Sequence, residues 1–156
     1  MSKKQKSGVI DKGENTMINY KPLTSNQINE GILFWKNTSG VHLHDNGEDT
    51  KEGIELYIKR NPECSFIATD GGKIIGAILS GHDGRRGFIN HLGVATEYRR
   101  QGIAAHLLGL SQDTFRKNGI HKCALFVLKE NTDGQEFYEK IGWKEEVIVE
   151  VCWKII

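Results

Sequence analysis

Residues 87–117 constrain the fold more than any other stretch. The alternating run "GFINHLGV" leads through a turn containing Arg99, Arg100 and Gly102 into a helical pattern, with Ile103, Leu107, Leu110 and Phe115 mostly on one side. Asn118 and Gly119 end that helix, and "CALFVL" follows over residues 123–128 as the nearly continuous apolar run of a strand buried on both faces. Strand, helix and buried strand in this order suggest a crossover joining two parallel strands.

The elements around this unit follow antiparallel rules. A strand near residues 18–23 precedes a helix over 24–36, which Thr24 can cap and whose apolar stripe is Ile28, Ile32, Leu33 and Trp35. After the loop "GVHLHDNGED", Asp49 can cap a second helix carrying Ile54, Tyr57 and Ile58. "CSFIAT" and "KIIGAILSG" are strands hinged by Asp70, Gly71 and Gly72, and a second hairpin turns at Asp83 and Gly84. A helix over residues 132–140 stops at Gly142, its core pair being Phe137 and Ile141, and "EEVIVEVCWKII" closes the chain as one or two strands. The order predicts an α/β (α+β) fold, a sheet of antiparallel hairpins with one parallel crossover and flanking helices.

A chain of 156 residues fits a single domain over 17–156, with the polar, lysine-rich residues 1–16 as an appended tail. Twenty-one basic against 20 acidic residues leave a net charge of +1, so no general field draws nucleic acid or an anionic membrane. Cys64, Cys123 and Cys152 are odd in number and lack metal-ligand spacing, and no apolar run reaches membrane-spanning length. These features predict a cytoplasmic protein, monomer or homodimer, with Cys123 and Cys152 as buried strand thiols.

Any anion site must therefore be local, and the helix mouth supplies one. Arginines there stand where the helix dipole is already positive, a like-charge arrangement that costs a few tenths of a kcal/mol unless an anion balances it. Gly102 lets a bulky anion approach the backbone and the small Ala104 keeps the next turn clear, which suits a phosphate. The Walker Gly-Lys-Ser/Thr ending is absent, and Gly81, Gly84 and Gly87 have the wrong spacing for a dinucleotide loop. A pyrophosphate bound without metal fits these residues best.

"HLGVATEYRRQGIAAHLL" closely resembles the acyl-coenzyme A motif of the GCN5-related N-acetyltransferases, Gln/Arg-x-x-Gly-x-Gly/Ala, filled here by Arg99, Gly102 and Ala104. "NTDGQEFYEKIGW" resembles the family's second landmark, and the order of elements agrees from Met17 to the C-terminus. The resemblance implies a mixed, mainly antiparallel sheet in which the strand before the motif splays from "CALFVL" to open a cleft. It implies acetyl-CoA as co-substrate, with the amides of Arg100, Gln101, Gly102, Ile103, Ala104 and Ala105 holding the pyrophosphate. The main chains of Leu92, Gly93 and Val94 would pair with the pantetheine arm and polarise the thioester carbonyl. Asn131 would touch the arm, and Tyr138 would sit near the sulfur.

The chemistry then needs an acid and a base. A phenol, protonated near pH 7 with an ordinary pKa of about 10, makes Tyr138 a donor to the departing thiolate. A lysine-type amine of pKa about 10.4 is neutral only about once in 2,500 molecules at pH 7, so such an acceptor demands a base. Where some family members carry a glutamate this chain has Phe88; Asn90 and His91 lie nearby, and His91 is the candidate base. His42 and His44, with an aspartate in the same loop, lack the geometry of a metal site, and no metal is expected. The sequence thus points to an N-acetyltransferase acting by direct attack of a primary amine in a ternary complex, the acceptor a small molecule. Alternatives are a protein N-terminus or lysine as acceptor, or a non-catalytic acyl-CoA sensor; nucleic acid and membrane are not expected partners.

Overall fold

The computed structural model describes residues 17–147, 150–152 and 154–156. Among these residues five strands, β1 (Asn19–Pro22), β2 (Phe66–Asp70), β3 (Lys73–His82), β4 (Gly87–Val94) and β5 (Cys123–Leu125), lie in that spatial order. All neighbours are antiparallel except β4 and β5, which are parallel. Four α-helices accompany them: α1 (Ile28–Lys36), α2 (Lys51–Arg60), α3 (Ile103–Lys117) and α4 (Thr132–Lys140). The hairpins and the parallel crossover through α3 are those the sequence predicts. The expected tail over residues 1–16 lies outside the described residues.

Two apolar clusters occupy the two faces of the sheet. On one, Ile28 and Trp35 of α1 and Ile54 of α2 meet Ile67, Ala77 and Leu79; on the other, Ile103, Leu107, Leu108 and Phe115 of α3 meet Ala68, Ile75, Ile78, Ile89 and Val94. Trp35 is fully buried, and its indole N–H donates to Ala77 O at 3.3 Å, so the ring buries its area without stranding its one donor. Gly76 lets α3 approach the sheet, since a Cβ there would stand 2.9 Å from Ile103 Cγ2 and 3.2 Å from Leu107 Cδ1.

Several local expectations are corrected. Leu33 and Ile141 are exposed rather than core, because Gly31 and Trp35 carry the inner face of α1 and Phe137, Tyr138 and Trp143 pack under α4. The first turn after Thr24 is 3₁₀, and α1 begins at Ile28. "CALFVL" is a strand only through Leu125, and Phe126 and Leu128 are exposed. Of the closing strands expected over residues 145–156, Ile148, Val149 and Trp153 lie outside the described residues. The described remainder forms no strand, and Val147, Val151 and Ile155 are exposed. Alternating apolar residues give a strand its face but not its partner, and pairing is what makes the strand. Cys152 is exposed and Cys123 half-buried, so neither is a buried strand thiol.

Candidate functional site

The parallel pairing of β4 with β5 covers only Gly87, Phe88 and Ile89, opposite Cys123, Ala124 and Leu125. Beyond Ile89 the two strands separate, and the gap continues into a cleft of about 500 Å³ bounded by Gly40–His42, Asp49, Asn90–Leu92, Leu125–Leu128, Asn131 and Tyr138. The separation coincides with a bulge: Leu79 opposes His91 and Ser80 opposes Ile89, which leaves Asn90 as the extra residue on β4. Side chains record the phase change. Gly87 abuts Phe115, and Ile89, Leu92 and Val94 pack on the α3 face. Asn90 and His91, adjacent in sequence, both reach the opposite face, to Tyr57 and Asp49 respectively.

Past the bulge, alternation decides which backbone groups are free. Ala95 N–H donates to Ile75 O, and Gly93 opposes Ala77, so His91 and Gly93 direct their main-chain groups at β3 and those of Leu92 and Val94 point into the cleft. The amide expected from Gly93 thus belongs to the sheet. Gly93 has another task, since a Cβ there would lie 2.8 Å from Thr38 Cγ2. Val94 O already accepts from Arg99 Nε at 3.1 Å.

The helix mouth is built from backbone. Arg100 at φ +60° and Gly102 at φ +80° bend the chain sharply before α3. Arg99 does not reach out for an anion. Its guanidinium ties the loop to Val94 O and, at 3.2 Å, to Ser39 O, while Tyr98 Oη donates to Asp70 Oδ2 at 2.6 Å. α2 and α4 are capped by side chains, Thr50 and Asn131 accepting from the amides of Gly53 and Gly134. α3 has no side-chain cap and no acid in its first turn, and a Cβ on Gly102 would meet nothing within 4 Å. Open amides, a positive helix end and clear space form a seat that a pyrophosphate fits.

Across the cleft the side chains are specific. Asp49, expected to cap α2, yields that place to Thr50 and turns inward instead. Its Oδ1 lies 2.6 Å from His91 Nε2 and its Oδ2 accepts from His44 N–H at 2.7 Å, with side-chain exposures of 5% for Asp49 and 11% for His91. Burial alone pushes the Asp49 carboxyl up, but the bonds from His91 and the His44 amide, with the charges of both imidazoles, hold it below its ordinary value. Beside it, Asn90 Nδ2 donates to Tyr57 Oη at 2.8 Å, and burial pushes that phenol up to about 12 despite the bond. The Tyr138 phenol, lining the far wall, is also pushed up to about 12 by burial.

Asn131 lines the cleft, but its side chain is engaged as the α4 cap and, at 3.4 Å, with Gly40 O. His82 and Asp83 lie in the β3–β4 hairpin, away from the cleft, and Asp83 Oδ1 accepts from the amides of Arg85 and Arg86. Cys64 is buried and its thiol is pushed up to about 11 by that burial and by Glu63, which disqualifies it as an acyl carrier. Among the described residues no group of three or more His, Cys, Asp or Glu side chains is placed to hold a metal ion, and no helix is long and apolar enough to cross a membrane. Tyr57 as a site residue and the pairing of Asp49 with His91 are what sequence reasoning missed. Two adjacent cap-forming residues before one helix, Asp49 and Thr50, were the available signal.

A bulged strand diverging from its parallel neighbour beside an uncapped helix start is the arrangement that the sequence resemblance implies for the donor site. The model of the acetyltransferase (GNAT) family matches residues 32–143, and the chain belongs to that family. N-alpha-acetyltransferase 30 of Schizosaccharomyces pombe is 34% identical over 106 residues, covering 62% of this chain and 71% of that protein. Among solved structures, the PaiA N-acetyltransferase of Thermoplasma acidophilum in complex with coenzyme A superposes with a TM-score of 0.72 at 22% identity, over 83% of this chain and 91% of that one. The aminoglycoside N-acetyltransferase AAC(6')-Iy, bound to a bisubstrate analogue, gives a TM-score of 0.70 at 20% identity, over 90% and 100%.

Proposed function

We propose that this chain transfers the acetyl group of acetyl-CoA to a primary amine, by direct attack within a ternary complex. The observation that carries the proposal is that the backbone seat at α3 and the Asp49–His91 pair meet β4 from opposite sides of the same diverging strand. The amides at the start of α3 hold the pyrophosphate, and the main-chain groups of Leu92 and Val94 orient the pantetheine arm and the acyl carbonyl. The donor supplies a thioester, whose C–S bond breaks as the N–C bond forms.

Tyr138 serves the leaving group. With its phenol at about 12, giving its proton outright to a thiolate of pKa about 8.5 runs uphill by roughly 3.5 units. Tyr138 therefore stabilises the thiolate by a hydrogen bond, and solvent completes the protonation. His91 takes the proton from the attacking nitrogen.

The acceptor is a small molecule in this reading, supported by a cleft of about 500 Å³, ordinary for a small-molecule site, and by acidic Glu48 at its rim. A second reading, a protein N-terminus, is favoured by the likeness to an N-alpha-acetyltransferase. Release of free coenzyme A thiol across polyamines, aminoglycosides, amino-acid amides and short peptides tests both. Acetyl-CoA binding without turnover on the whole panel would instead support a sensor. Three free cysteines suit a cytoplasmic setting.

A further inference from the structure

The partnership of Asp49 with His91 decides which imidazole nitrogen is available, and the main-chain motif says nothing of it. Asp49 is buried, its Oδ2 is occupied by the His44 amide, and its Oδ1 faces His91 Nε2 at 2.6 Å. A carboxylate in these surroundings only accepts, so the hydrogen between the two belongs to the imidazole. Nε2 carries the proton and Nδ1 carries the lone pair. Among the described residues Nδ1 makes no hydrogen bond, and the ring lines the cleft with its centroid 5.6 Å from that of Trp35. Two elements distant in sequence thus meet at one proton. The α1–α2 loop brings the acid and the β4 bulge brings the base.

We propose that Asp49 is the positioning residue of this active site, holding His91 in the Nε2–H tautomer so that Nδ1 accepts the proton of the attacking amine. The proposal rests on the acetyl-transfer reading above. In the step, the amine lone pair forms the N–C bond, the acyl C–S bond breaks with its electron pair leaving on sulfur, and the ammonium proton passes to Nδ1. The resulting imidazolium is paired with the Asp49 carboxylate. The ionisable groups facing this pair are His42, His44 and Glu48 of the loop, Tyr57 of α2 and Tyr138 of α4.

Histidine-labelled protein read by ¹⁵N–¹H correlation reports the tautomer without any turnover. Wild type is expected to show His91 as Nε2–H, and Asp49→Asn a mixture of tautomers. With the best amine of the panel, Asp49→Asn should lower kcat by about 10²- to 10⁴-fold. The acetyl-CoA-induced thermal shift should be retained. Asp49→Asn added to His91→Ala should be no slower than His91→Ala alone, since the carboxylate acts only through the ring. An Nδ1–H tautomer in wild type overturns the proposal even if Asp49→Asn does not fold. So does an Asp49→Asn enzyme with wild-type kcat, or a double variant markedly slower than His91→Ala. A wild type that binds acetyl-CoA and shows the Nε2–H tautomer but acetylates no amine overturns the transfer reading and the base role with it, while leaving the pair intact.

Discussion

The two sides of β4 are built in different materials. On the donor side the site is main chain, comprising the Leu92 and Val94 groups, the left-handed turn at Arg100 and Gly102, and the uncapped start of α3. On the acceptor side it is side chain, comprising Asp49, His91, Asn90 and Tyr57, joined by hydrogen bonds across more than 30 residues of sequence. Backbone sites tolerate substitution wherever φ allows it, whereas side-chain sites fail at the first wrong atom. In the proposed reaction, specificity for a common donor therefore belongs to the first side and discrimination among acceptors to the second.

The contrast is broken most directly at Gly102. A donor at about 100 times its dissociation constant stabilises a domain of this size by about 2.7 kcal/mol, or roughly 5 to 11 °C. Gly102→Glu, which places a charged side chain on a left-handed residue in the open seat, should abolish that shift. Arg100→Ala should keep most of it, and an equal loss would show that side chains rather than amides hold the anion. His91→Ala is the counterpart on the other side, with kcat lowered by about 10²- to 10⁴-fold and the donor-induced shift unchanged. If the shift also vanishes, the two sides are not separable.

Tyr138→Phe sharpens the boundary, since Tyr138 is a side chain proposed to serve the donor's sulfur. Loss of one hydrogen bond of about 1.4 kcal/mol predicts a tenfold fall in kcat with little change in donor KM. A fall beyond a thousandfold would make the phenol a full proton donor. The smallest effect is on stability against alkali. With Tyr57 and Tyr138 both at about 12 in the folded chain and ordinary phenols at about 10 when unfolded, stability is full below pH about 10 and is lost as pH rises through about 12. The loss approaches about 2.7 kcal/mol per phenol at roughly 1.36 kcal/mol per unit. Urea unfolding against pH, with phenolate absorbance, checks it. Asp49 has the opposite sign, its contribution present above the ordinary carboxylate value and lost as pH falls through its lowered one.

The same contrast explains what could be read from the chain. Gly102, Ala104 and the strand before them are legible because a backbone seat requires small residues at fixed spacing. His91 was legible as a residue type but not as a member of a pair. Asp49 satisfied a local rule, helix capping, that Thr50 also satisfied, and only the fold shows which of them took the role. Arg99 misleads in the other direction. An arginine at an anion site suggests contact with the anion, yet its guanidinium braces Val94 O and Ser39 O. The closing stretch after Trp143 carries strand-like alternation, and alternation cannot name the edge it would join.

The extra residue at Asn90 has a further consequence. Along the chain it is one residue among others; along the sheet it is a slip of phase, after which every odd residue faces where every even one did. Two neighbouring side chains consequently serve the same chamber, and the strand bends away from β5 at the point where they do so. Removing that residue would mend the ladder and tidy the sheet. It would leave His91 opposite Leu79 on its present face, but take away the amide that holds Tyr57 Oη and the bend that parts β4 from β5, leaving a better-paired strand and a narrower cleft.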